Sequence, residues 1–294
     1  MRNWRFGKPT GPGFGIASNY YLTVLSPEPF WPAAVSLANP EGAAGAVVGF
    51  AVPVKTVAAT GETDRKVLGQ PMQRGIYAVA SKDRKTVLRM MLMSKEEAGF
   101  EPEVFVRNAE ALNYPPDMVV SIRATWSIAQ FTFESHDPDV YPSLDFSLAV
   151  CDRLASVVGG VVADPISRRY RRPGSLILSP RADDRVDARE HVAVHSAQDA
   201  TGMTYFTLGL QKFGMPEFEL RELGIEDSLR ATTVLAAMAQ TVLVAGPTRE
   251  GQSFAGFTLQ VGGFDRSRWE GIPVLEMRPP ATKTTAEALS EWPL

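Results

Sequence analysis

Cysteine and histidine are scarce in this sequence: its 294 residues hold one cysteine, Cys151, and three histidines. A single thiol cannot form an internal disulfide or a multi-thiolate metal centre, which points to a reducing compartment, read here as the cytoplasm. An excess of either charge is also missing. Thirty Lys and Arg stand against 33 Asp and Glu, for a net charge of −3. Proteins that mainly bind nucleic acid usually carry a basic excess, so that partner class is argued against. Long apolar runs are lacking. Glycines and prolines break up residues 7–15, so no secretory signal is read there, and segments 43–54 and 231–245 look too short or too polar to cross a bilayer. No membrane partner is expected.

The standard chemical motifs are absent too. There is no G-x-x-x-x-G-K loop, no HExxH, no C-x-x-C and no G-x-S-x-G. Gly11, Gly13 and Gly15 follow no strand that would make them a dinucleotide loop, so they read as a surface arm. No cofactor and no metal are expected.

What is present reads as a globular α+β chain with 45% hydrophobic and 21% charged residues. Strands are predicted over residues 20–25, 46–57, 75–80 and 86–93, with Ser81 to Arg84 as a hairpin loop. Met90, Met91 and Met93 read as core filling. Ser94 and Glu97 form a capping-box pattern for a helix that Gly99 and Pro102 cut short. A helix over 116–124 starts at Pro116, and the joint Tyr114-Pro115-Pro116 is the expected boundary between a β-rich region, 1–114, and an α+β domain, 115–294, which could pack as one unit.

Beyond that joint, a strand over 126–134 leads to Asp137-Pro138-Asp139, a helix-opening sequence. Leu144, Leu148, Cys151, Leu154 and Val158 then repeat on one helical face until Gly159-Gly160. Val161 to Ala163 completes a β–α–β unit. Further strands are read over 191–195, 204–210, 257–261 and 273–277, with a long helix over 225–245. The expected architecture is layered mixed or antiparallel sheets with few helices. Two β–α–β passes suggest a ferredoxin-like arrangement in the C-terminal half.

Five residues are candidates for binding. Arg168 and Arg169 follow a predicted strand end, guanidinium forks suit phosphate or carboxylate, and Tyr170 could stack on a ligand. The plainer reading is a solvated loop balanced by Asp183, Asp184 and Asp187. Lys212 and Glu217 flank a predicted turn in which Gly214 takes a positive φ, Pro216 sets the exit and Phe213 anchors on the core. Both charges are then expected outside, the alternative being that they line a pocket. His191 and His195 lie about 13 Å apart on a strand, too far to share an ion, and read as solvent-facing. His136 reads as part of a helix-entry turn.

The segment Leu208-Gly209-Leu210-Gln211-Lys212-Phe213-Gly214-Met215-Pro216-Glu217-Phe218-Glu219-Leu220 resembles the hallmark of a family of bacterial domains of unknown function. The stretch from Phe131 to Tyr170 is similar to the β–α–β unit that precedes that hallmark. The resemblance spans about residues 126–280 and implies no activity. The sequence therefore favours a non-catalytic binding or accessory protein for a small anion or a protein partner. The rival is an enzyme, such as a hydrolase, with Asp, Glu and Arg gathered in a loop-built site.

Overall fold

A computed structural model describes residues 15–38, 50–53, 69–81, 83–137, 140–175, 186–263 and 266–293. The glycine-rich arm thus lies almost wholly outside the described residues, as do Pro138, Asp139, Asp183 and Asp184. The chain forms two compact units, Ser18–Arg181 and Ala182–Leu294, the latter with Met1–Ala17. The expected α+β layering is present, with two multi-stranded sheets and seven α-helices among the described residues.

The first unit is built on β1 (Tyr21–Ser26), β2 (Phe50–Pro53), β3 (Gly75–Ala80), β4 (Val87–Ser94), β5 (Ser127–Ser135), β6 (Val161–Asp164) and β7 (Arg169–Arg171). Their order is β2-β3-β4-β5-β1-β6-β7, with every neighbouring pair antiparallel. The helices are α1 (Val35–Ala38), α2 (Pro102–Ala111), α3 (Pro116–Arg123) and α4 (Val140–Val158). β5, α4 and β6 form the expected β–α–β unit, with β1 seated between the two strands. In β4 the buried residues Leu88, Met90 and Leu92 alternate with more open ones, as a half-covered strand requires.

The capping box is made, because Ser94 N–H donates to Glu97 Oε2 at 2.8 Å and Glu97 N–H to Ser94 Oγ at 3.2 Å. It closes a turn rather than a helix. α2 instead begins at Pro102, which suits a first helical position. The Tyr114-Pro115-Pro116 joint lies within this unit and not at its border. It links α2 to α3, and both pack on a cluster that includes Val106, Ile122, Leu25, Ile128, Val161 and Tyr170. The division of the chain falls instead between Arg181 and Ala182.

The second unit contains α5 (Ala188–His191), β8 (Ala193–Asp199), β9 (Gly202–Leu208), β10 (Glu217–Leu223), α6 (Ser228–Ala245), β11 (Ser253–Phe254), β12 (Phe257–Val261), β13 (Val274–Arg278) and α7 (Thr285–Ser290). Strand order is β11-β12-β13-β10-β9-β8, and only β10 and β13 run parallel. Three strands then a helix occur twice, so the arrangement is not the β–α–β–β–α–β of a ferredoxin-like fold. β9 and β10 are joined by a turn too short for a crossover helix, which forces an antiparallel pair.

α6 begins after a 3₁₀ turn over Ile225–Asp227 and buries Val234, Leu235, Met238 and Val242. It packs on β8, β9 and β10. With its leading turn, Ile225–Ala245 is long and apolar enough by length and composition to cross a membrane, at mean hydropathy 1.3, contrary to the shorter span read from sequence. Its packed face is that of a core helix.

Candidate functional site

The basic run sits on the hairpin joining β6 to β7. Arg168 is exposed at a positive φ of 53°, and Arg169 begins β7 opposite Asp164. Tyr170 points the other way, as alternation along a strand requires. It is buried, its hydroxyl donates to the Phe105 carbonyl at 3.3 Å, and its ring meets Tyr114 edge-on. Its ring is therefore part of the core and not a stacking platform. Arg172 pairs with Asp117, while Asp187 caps α5 and pairs with Arg189 at 2.7 Å.

Lys212 and Glu217 are both fully buried, which corrects the expectation that they lie outside. The turn itself is as expected, with Gly214 at φ 69° and Phe213 buried. Glu217 is inside because the turn leaves donors to satisfy. Its Oε1 accepts the backbone N–H of Gly209 at 2.8 Å and of Gln211 at 3.2 Å, and its Oε2 accepts the Thr207 hydroxyl at 2.7 Å. The carboxylate ties the end of β9 to the start of β10.

Burial raises the Glu217 carboxyl above its ordinary value of 4.5, while these three donors and Lys212 act in the opposite direction. The folded chain thus holds this proton to higher pH than the unfolded chain does. The resulting stability is fully present below the ordinary carboxyl range and falls as pH rises through the folded value. Glu217→Gln should flatten part of that decline. Urea midpoints taken from about pH 4 to 7 test this. A decline as steep in the variant as in the wild type would assign it to other groups.

The histidines also differ from expectation. His191 ends α5 and His195 lies on β8, and both are buried. His191 meets Phe213 edge-on, and His195 stacks near Phe206. The chain turns from helix to strand between them, and Phe213 and Phe206 supply apolar cover for the two rings. Among the described residues, no group of three or more His, Cys, Asp or Glu is placed to hold a metal ion.

A charged cluster that the sequence reading missed occupies the second sheet. Strand register sets His195, Phe206, Glu219, Glu276 and Gln260 opposite one another on β8, β9, β10, β13 and β12. Directly opposed residues share a face, so two carboxylates stand side by side across the parallel pair. Glu219 is fully buried. One of its oxygens pairs with Arg266, and the other accepts the Trp269 indole N–H at 2.8 Å. Glu276 pairs with Arg278 at 3.3 Å and faces Arg221 at 3.8 Å. Arg268 pairs with Asp199 and lies over the Phe206 ring, which also meets Trp269 edge-on at 5.2 Å.

Burial raises the Glu219 carboxyl. The Trp269 bond, Arg266 and Arg221 oppose the rise, and Glu276 adds to it. Beside this row opens a cavity of about 590 Å³, bordered by Arg266, Ser267, Trp269, Glu270, Val261 and Ile272 among others. Gly262 also borders it, and a Cβ there would stand 3.0 Å from Glu276 Cβ and 3.2 Å from Glu219 Oε1. The missing side chain lets the wall lie against both carboxylates.

One signal for this cluster was present in the sequence. Glu219-Leu220-Arg221 and Glu276-Met277-Arg278 repeat an acid–apolar–arginine pattern on two strands that otherwise read as core. No family model matches the chain, and no curated protein or solved structure matches it either.

Proposed function

We propose that this chain is a non-catalytic binding protein of the cytoplasm that holds a small anion in the cavity beside Arg266 and Trp269. The observation carrying this reading is that Arg266, held by Glu219 in the buried row, borders the cavity together with Trp269. Glu219 has a donor on each oxygen, so it orients Arg266 and Trp269 instead of standing ready as a base.

A titration of the intact chain with inorganic phosphate, acetate and succinate, read by tryptophan fluorescence, tests the proposal. Trp269→Phe identifies the reporting indole. A saturable change with Kd below about 1 mM, weakened about tenfold or more in Arg266→Lys, supports it. No saturable change with any anion would defeat it. On the rival enzyme reading Glu276, which faces Glu219 across the parallel pair, is the acting carboxylate, and turnover of a bound anion that is lost in Glu276→Gln would establish it.

A further inference from the structure

We propose that β8 is an interface strand, along which two copies of this chain pair antiparallel about a twofold axis at Ser196. The two sheets end in β2, β7, β11 and β8, and the first three are guarded against further pairing. β2 ends in Pro53, β7 is three residues long and carries Arg169 and Arg171, and β11 has two residues. Shortness, proline and charge are the usual protections of a sheet edge. β8 has almost none of them. It runs for seven residues, Ala193–Asp199, without lysine, arginine or proline, and its one acid, Asp199, stands at the end.

The backbone of β8 also has hydrogen bonds to offer. Ala200 and Thr201 form the turn into β9, and Asp199 pairs with Gly202 across it. A turn this tight makes that pair a hydrogen-bonded one, and bonded pairs then recur at every second residue. The N–H and C=O groups of Val194, Ser196 and Gln198 therefore face away from β9. No described strand lies on that side, and Ser196 and Gln198 are exposed. A row of such groups is what a further strand binds. The occupant is a second copy because the strand complements itself. With Ser196 opposite Ser196, Val194 meets Gln198, His195 meets Ala197 and Ala193 meets Asp199 of the other copy. The whole strand overlaps, about six hydrogen bonds form, and no charge faces a like charge. Asp199 is also held by Arg268 of its own chain. One short strand a side is a small interface, so the expected dimer is weak, with Kd on the order of 10–100 µM.

Sedimentation equilibrium of the full chain from about 1 to 500 µM tests this, and the average mass should rise from one chain towards two. Ser196→Pro should keep the fold, because the N–H it removes faces outward, and should abolish the rise. Ser196→Lys and Ser196→Glu each set like charges against one another at the axis and should weaken the dimer about fivefold or more. An equimolar mixture of those two variants should dimerise again. If Ser196→Pro fails to fold, the charge variants and their mixture still decide. A chain that stays a monomer over the whole range would overturn the proposal and leave the edge to a strand of another protein. A dimer unchanged in both charge variants would place the interface elsewhere, and a mixture no tighter than either variant alone would overturn the register about Ser196.

Discussion

Glu219→Ala should lower the unfolding free energy of the second unit by about 3–5 kcal/mol, the range for breaking a buried ion pair by removing one partner. The loss would come mostly from what remains. Arg266, with a side chain 7% exposed, would keep its charge away from water without its carboxylate, and the Trp269 indole N–H would lose its acceptor. The pair itself need not stabilise the fold, because desolvating two charges offsets much of their attraction. The double variant Glu219→Leu, Arg266→Leu should therefore recover most of what the single variant loses. Urea denaturation followed by far-UV circular dichroism measures all three proteins. A loss below about 1 kcal/mol in Glu219→Ala would show that water reaches Arg266 and that the row is not a closed network. Recovery in the double variant without anion binding would show that the pair is retained for recognition and not for stability.

The sequence was most readable where the decisive contacts are local. The β5–α4–β6 unit could be followed because the helical face from Leu144 to Val158 and the stop at Gly159 are written in consecutive residues. The hairpin from β3 to β4 was marked in the same way by its polar loop. The charged row could not be read like this. It depends on Glu219 facing Glu276 across strands 57 residues apart, and on Arg266 and Trp269 returning over them. Nothing local fixes that pairing.

The error over Lys212 and Glu217 has a different cause. Charged side chains are mostly exposed, and that tendency was applied to a turn whose own backbone N–H groups needed an acceptor. Tyr170 was misjudged through its neighbours. Four arginines around it suggested a surface, but a strand of three residues still turns its middle side chain inward. The boundary was read at 114–116 because consecutive prolines resemble a linker, although the helix expected from Pro116 packs into the same core cluster as the strands before it.

Two glycines in the turn between β9 and β10 look alike in sequence and should respond very differently to alanine. Gly214 has φ 69°, and a Cβ built on it meets nothing within 4 Å. Gly214→Ala should cost only the strain of a left-handed alanine, about 1 kcal/mol. Gly209 has φ 127°, and its Cβ would stand 2.3 Å from the His191 carbonyl oxygen and 3.1 Å from Val192 Cα. Both contacts are backbone, so no side-chain rotation can relieve them. The chain leaving α5 and the end of β9 would have to separate, which would disturb the Gly209 N–H bond to Glu217 and expose the buried carboxylate. Adding backbone strain to overpacking gives an expected loss of about 3 kcal/mol or more for Gly209→Ala. The difference between the variants is the informative quantity, because both remove one glycine from the same turn and change the unfolded chain alike. Urea denaturation of the two, side by side, measures it. Equal losses would mean that α5 is not held against β9 in solution and that Glu217 closes the turn without that packing.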